Sequence, residues 1–200
     1  MGQYLVTGGV SDPFLPQLER EIHRATEIDI AVAFIKSSGL DLLFDALLDA
    51  LSQRGAVLRL LTSDYLDVTD AQALRRLMLL QERGADIRVF ESGEGSFHLK
   101  AYIFVRTEDG TVVHGNAFVG SSNISRKALT DGLEWNYRIA RPGDADPRAV
   151  QRFQEIRTEF DGLFHADRVI PLEYPWIEAY EQRRQPPPQA IAPGSDDRES

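Results

Sequence analysis

Apolar positions along the chain alternate between two rhythms. Phe14, Leu15, Leu18 and Ile22 recur at helical spacing. EIDIAVAFI (27–35), rich in Ile, Val and Ala, then has the length and composition of a buried strand. From Gly39 to Ser52 the leucines and Phe44 return to helical spacing, and Gly55 is placed to stop that helix. AVLRLLT (56–62) predicts a strand, Thr69 or Asp70 caps a helix through Leu74, Leu77 and Met78 to near Gly84, and ADIRVF (85–90) predicts another strand.

The second half changes character. After the loop ESGEGS (91–96), FHLKAYIFV (97–105) and TVVHGNAFVG (111–120) predict two strands joined by the hairpin signal TEDG. LEWNYRIA (133–140) predicts a further strand, and Asp146-Pro147 opens a helix with Val150, Phe153, Ile156, Phe160 and Leu163 on one face. Strands separated by helices, followed by a cluster of strands, imply an α/β fold. Its mixed, mostly parallel β-sheet is flanked by helices on both faces, in a single domain over residues 1–180. The Pro-rich stretch at 181–200 has no apolar periodicity and reads as a disordered tail or linker.

Composition narrows the chemistry. The 200 residues include no cysteine, so disulfides and thiolate metal sites are excluded. No apolar run approaches the roughly 20 residues that cross a bilayer, and the N-terminus lacks the basic patch and apolar core of a signal peptide. These features point to a cytoplasmic protein with no membrane association. The net charge of −9 argues against a broad basic surface for nucleic acid, although a local positive cleft remains compatible with it. No Walker A pattern, no His-x-x-x-His pair and no carboxylate cluster is present, so neither a nucleotide-driven motor nor a metal or other cofactor is called for.

Three short stretches could carry chemistry. His98 and Lys100 stand two apart in a predicted strand, so their side chains project to one side. There Lys can hold a phosphate and His can act as nucleophile or proton donor. The same spacing also suits a solvated pair on an edge strand. Gly120-Ser121-Ser122-Asn123 ends a strand ahead of the helical-looking ISRKAL, which offers hydroxyls, an amide and N–H groups to an anion; Ser and Asn are equally common helix caps. Glu134 lies in the next strand, where a carboxylate can orient a histidine or simply face solvent. Of the other histidines, His23 reads as a surface residue, His114 could line a cleft, and His165 suits a helix C-terminus.

Together, H-L-K at 98–100, G-S-S-N at 120–123 and Glu134 resemble the signature of the phospholipase D superfamily, over roughly residues 27–164. The similarity is most detailed in TSDYLDVTDAQALRRL (62–77) and FVGSSNISRKALTDGLEWNYRI (118–139). There the chain looks like phospholipase D-like domains associated with bacterial superfamily 2 helicases, with related domains in single-motif restriction endonucleases. The resemblance implies His98, Lys100, Ser121, Asn123 and Glu134 as catalytic residues, with Lys100, Ser121, Ser122 and Asn123 on the phosphate. It implies phosphodiester cleavage without a metal, through a phosphohistidine, most naturally as a DNA endonuclease. Such chemistry uses two H-x-K units and the chain has one, so a homodimer is expected, with a helicase partner or fused helicase region delivering nucleic acid. A catalytically silent targeting module is the rival reading and lipid hydrolysis a third. One departure stands out: where the full motif has Asp, this chain has Val105.

Overall fold

The computed structural model describes residues 4–93, 95–142 and 146–184. Eight strands form one sheet: β1 (Leu5–Gly8), β2 (Glu27–Val32), β3 (Val57–Ser63), β4 (Asp86–Phe90), β5 (Lys100–Glu108), β6 (Thr111–Gly120), β7 (Leu133–Pro142) and β8 (Val169–Pro171). Their order across the sheet is β1-β7-β6-β5-β2-β3-β4-β8. Helices α1 (Leu15–Arg24), α2 (Ser37–Arg54), α3 (Ala71–Gln81), α4 (Arg126–Leu129), α5 (Pro147–Phe164) and α6 (Tyr174–Arg184) complete the fold.

The mixed sheet with helices on both faces matches expectation, but it is not mostly parallel. Only β2-β3 and β3-β4 are parallel; every other neighbouring pair is antiparallel. The reason lies in the connections. Crossover helices α2 and α3 return the chain to run parallel, whereas the β5-β6 hairpin reverses it. In that hairpin Asp109 and Gly110 both take positive φ, as a tight turn requires.

The two faces are covered unequally. Beneath α1, α2, α3 and α6 lies the larger core, with Leu18, Ile30, Leu47, Leu60, Leu77 and Tyr102. On the other face, among the described residues, α5 is the covering helix, packing Phe153, Phe160 and Phe164 onto Ala31, Ile103 and Ala117. β2 is therefore buried on both sides, which explains its apolar run. Its buried Asp29 is compensated by a neighbouring-strand partner: Arg59 donates to both carboxylate oxygens at 2.7 and 2.9 Å, and also reaches Asp161 of α5.

Helix ends follow the local chemistry. Gly55 closes α2 in the left-handed conformation (φ 64°). Asp146 caps α5, accepting from the N–H groups of Arg148 and Ala149, with Pro147 at the first turn. Asp70 precedes α3 without capping it by its side chain; its carboxylate turns to Lys36 and to the Ser37 N–H instead. α6 runs through Arg184, past the expected domain edge at 180. It is tied down by Arg183 on Asp64 and Asp67 and by Arg184 on the Thr69 carbonyl. The expected tail beyond it, 185–200, lies outside the described residues. Among the described residues no helix is long and apolar enough to cross a membrane.

Candidate functional site

The candidate residues gather where β5, β6 and β7 meet at one end of the sheet. Antiparallel register sets this up: Ala101 pairs with Val119, and Gly120 pairs with Asn136. The start of β5, the end of β6 and the start of β7 therefore lie side by side, carrying Lys100, Ser121 and Glu134.

Ser121 and Glu134 are in direct contact, the hydroxyl donating to the carboxylate. The same Ser121 oxygen accepts from the Trp135 N–H at 3.1 Å, and the Ser121 N–H donates to the Trp135 carbonyl at 3.0 Å. Glu134 also acts on Lys100. Partial burial pulls the Lys100 ammonium below its ordinary range, and the Glu134 carboxylate pushes back upward. Lys100 Nζ donates to the backbone carbonyl of His98 at 2.6 Å. Replacing Glu134 by Gln removes the upward influence, so the Lys100 pKa is expected to fall further; NMR titration of the lysine side-chain resonances reads this directly. No change, or a rise, would show that Glu134 does not act on Lys100.

His98 differs from the sequence expectation. β5 begins at Lys100, and residues 96–99 have no strand assignment. Phe97 turns inward against Phe90, with ring centroids 5.0 Å apart. The His98 imidazole packs edge-to-face with Tyr65, 4.7 Å between centroids, and makes no hydrogen bond to Ser121, Asn123 or Glu134 among the described residues. Tyr65 stands in a single 3-10 turn (Tyr65–Asp67) just after β3, in which Leu66 and Asp67 hold positive φ. Asp64, immediately before it, accepts from the Ser92 N–H (2.7 Å) and hydroxyl (2.6 Å) and so fixes the loop that leads to His98.

The Gly-Ser-Ser-Asn turn is tied down rather than open. Ser122 is fully buried. Its hydroxyl accepts from the Asn136 amide at 2.8 Å, its N–H donates to Asn136 at 3.4 Å, and its carbonyl accepts from the Tyr102 hydroxyl at 3.0 Å. The Ser122 hydroxyl, expected on the phosphate, is thus engaged inside the fold, where it anchors the turn. Burial accordingly raises the Tyr102 pKa strongly. Asn123 accepts from the Phe34 N–H at 3.1 Å, which leaves its NH2 as the group it can offer. The expected helix start also moves: α4 begins at Arg126 behind the Ser125 cap, and the Ser121 and Ser122 N–H groups are already spent on β7. Arg126 and Lys127 are exposed on α4.

The remaining positions fall outside the site. Val105 is buried beneath α5, where a carboxylate would lack solvent. His114 lies near the start of β6, 2.9 Å from Asn116 and 3.6 Å from buried Glu21, rather than in the cleft. His23 is exposed on α1, and His165 ends α5 with its ring 2.9 Å from the Asp161 carbonyl. Tyr65 and Asn136 were not singled out by sequence. The detailed similarity of 62–77 covers Tyr65, but its role depends on contact with a residue 33 positions away.

Comparison with known proteins bears on the fold and the family. A family model described as "Cardiolipin synthase, PLD-like domain" matches residues 18–164, which include all five expected catalytic residues. Nuc from Salmonella typhimurium, a phospholipase D family member, superposes with a TM-score of 0.56 at 15% identity, over 78% of this chain and 88% of that one. Polyphosphate kinase from Porphyromonas gingivalis gives a TM-score of 0.51 at 19% identity, over 80% of this chain but 26% of the kinase. No curated protein shows a significant match. The two structures share the fold, and the match over residues 18–164 identifies the chain as a member of the PLD-like domain family.

Proposed function

We propose that the chain is a metal-independent phosphodiesterase acting on nucleic acid, with DNA as substrate, at a site completed by a second copy. The observation that carries this reading is the convergence of Lys100, Ser121 and Glu134 at one end of the sheet, with His98 two residues before Lys100. In the proposed reaction a His98 ring nitrogen attacks phosphorus, forming a P–N bond as the P–O bond to the leaving strand breaks. The His98 of the second copy gives its proton to that leaving oxygen, then takes a proton from water as the water attacks phosphorus and the P–N bond breaks. Lys100 and the Asn123 amide stabilise the non-bridging oxygens as charge builds. Glu134 holds Ser121 and supports the charge on Lys100.

Delivery of DNA to an acidic domain fits a helicase partner or fused helicase region. The test is a nuclease assay in excess EDTA comparing wild type with His98→Ala. Cleavage by the wild type and none by the variant is expected; cleavage by neither would leave a nucleic-acid-binding targeting module. One observation favours that second reading: the His98 imidazole leans on Tyr65 rather than on a hydrogen-bonding partner that would fix its tautomer.

Under the enzymatic reading Tyr65 is a positioning residue. Tyr65→Ala frees the imidazole to rotate, and turnover is expected to fall about ten- to a hundredfold with KM little changed. Steady-state kinetics separates the two parameters. Loss confined to KM would assign Tyr65 to substrate binding instead.

A further inference from the structure

The family match ends at residue 164, yet the fold continues through β8 and α6. This added segment returns to the two loops that hold His98. β8 pairs with β4, which brings Arg168 to the loop after β4. The Arg168 guanidinium donates to the Ser92 carbonyl and lies over the Phe90 ring, 5.1 Å from its centroid. The Arg168 carbonyl accepts from the Glu91 N–H at 2.9 Å, and Trp176 of α6 donates to the Glu91 carboxylate at 2.9 Å. The end of α6 reaches the other loop. Tyr180 is buried with its hydroxyl donating to the Thr69 carbonyl at 2.9 Å. One turn on, Arg183 spans the turn after β3: its Nε donates to Asp67 at 3.1 Å, and its Nη2 lies 2.9 Å from Asp67 and 3.2 Å from Asp64.

Asp64 divides its two oxygens. Oδ2 meets Arg183, while Oδ1 accepts from the Ser92 N–H and hydroxyl, so one carboxylate joins α6 to the loop that leads to His98. The turn itself needs outside support. Leu66 (φ 56°) and Asp67 (φ 51°) are both left-handed, and a leucine there is strained and persists only where its surroundings hold it. Leu66 is 71% exposed, so packing of its own side chain does not supply that support. Tyr65, on whose ring His98 rests, is the first residue of the turn. We propose, on the reading that His98 attacks phosphorus, that Arg183 is a positioning residue for it. By drawing Asp64 and Asp67 together Arg183 fixes the Tyr65 ring, and through it the imidazole, so a helix outside the family match sets the geometry of the site. A planar guanidinium suits the task because its fork meets two carboxylates at once. Stability alone assigns Arg183 little, since a half-exposed ion pair adds little to folding.

Histidine ring NMR and steady-state kinetics on the full chain test the proposal together. The chain has four histidines, and the resonance missing from His98→Ala identifies His98. In Arg183→Ala the His98 ring-proton shifts are expected to move toward those of Tyr65→Ala, where the neighbouring ring is gone, and kcat to fall about tenfold with KM little changed. Arg183→Lys, with one ammonium for two carboxylates, should recover part of both. Asp67→Asn weakens the same bond from the side of the turn and should act in the same direction even if Arg183→Ala loosens α6. Arg75 bonds Glu181 of the same helix at 2.7 Å, so Arg75→Ala weakens the hold on α6 while leaving Asp64 and Asp67 paired; its His98 shifts and kcat should match wild type. His98 shifts that stay at their wild-type positions in Arg183→Ala, or losses that Arg75→Ala reproduces in full, would overturn the role. A wild type that cleaves no nucleic acid would overturn the proposed function instead, and the His98 shifts alone would then decide whether Arg183 sets the ring.

Discussion

His98→Ala is expected to lower phosphodiester cleavage by about a thousandfold or more, the scale on which a positioned proton-transfer or nucleophilic group acts. That corresponds to about 4 kcal/mol of lost transition-state stabilisation. Substrate binding should survive, and the structure gives a specific reason. Lys100 Nζ donates to the backbone carbonyl of His98, which alanine retains, and Ser121, Asn123 and Glu134 are untouched. The cost to folding should also be small, because the imidazole is exposed and, among the described residues, its ring contact is with Tyr65, worth about 1 kcal/mol. Cleavage rates and oligonucleotide affinities measured side by side check this. A parallel loss of both would mean that the histidine binds rather than reacts.

Gly120→Ala should show the largest effect on stability. A Cβ at this position would lie 2.0 Å from the Trp135 carbonyl oxygen and 2.7 Å from Asn136 Cα, both in the β7 backbone. No side chain can swing aside to relieve that contact, so β6 must separate from β7. Overpacking of this kind costs about 1–3 kcal/mol, or roughly 2–4 °C in Tm for each kcal/mol in a domain of this size. The separation falls next to the bond between the Ser121 N–H and the Trp135 carbonyl, so the Ser121–Glu134 contact should be lost as well. Activity measured well below the melting temperature should therefore fall more than the thermal shift alone implies. An unchanged Tm would contradict the close approach of the two strands.

Much of the fold is legible because periodicity and helix-end chemistry agree. α2 is announced by its leucines and stopped by Gly55, α5 by Asp146-Pro147 and its phenylalanine stripe, and the β5-β6 hairpin by its turn. β1 and β8 are too short to show a rhythm, and α6 buries only Ile177 and Tyr180. Strand direction was misread because the sequence displays the crossovers around β3 but not the register that places β5 against β2. The same limit applies to the site. Lys100, Ser121 and Glu134 are findable as a motif, but alternation failed for His98, which lies before β5 begins. Whether Ser121 or Ser122 faces outward depends on Asn136, and what the imidazole rests on depends on the turn after β3. Both are contacts between segments distant in sequence.

The central claim is that the imidazole of His98 bonds to phosphorus during turnover. Acid-labile, base-stable attachment is the hallmark of a phosphoramidate, so the direct measurement is a denaturing quench of the full chain with an end-labelled oligonucleotide in excess EDTA, followed by peptide mass spectrometry. The label is expected on the peptide containing His98 and on no other, and it should be absent from His98→Ala. Turnover by the wild type with no adduct, or with the adduct on another residue, would contradict the account.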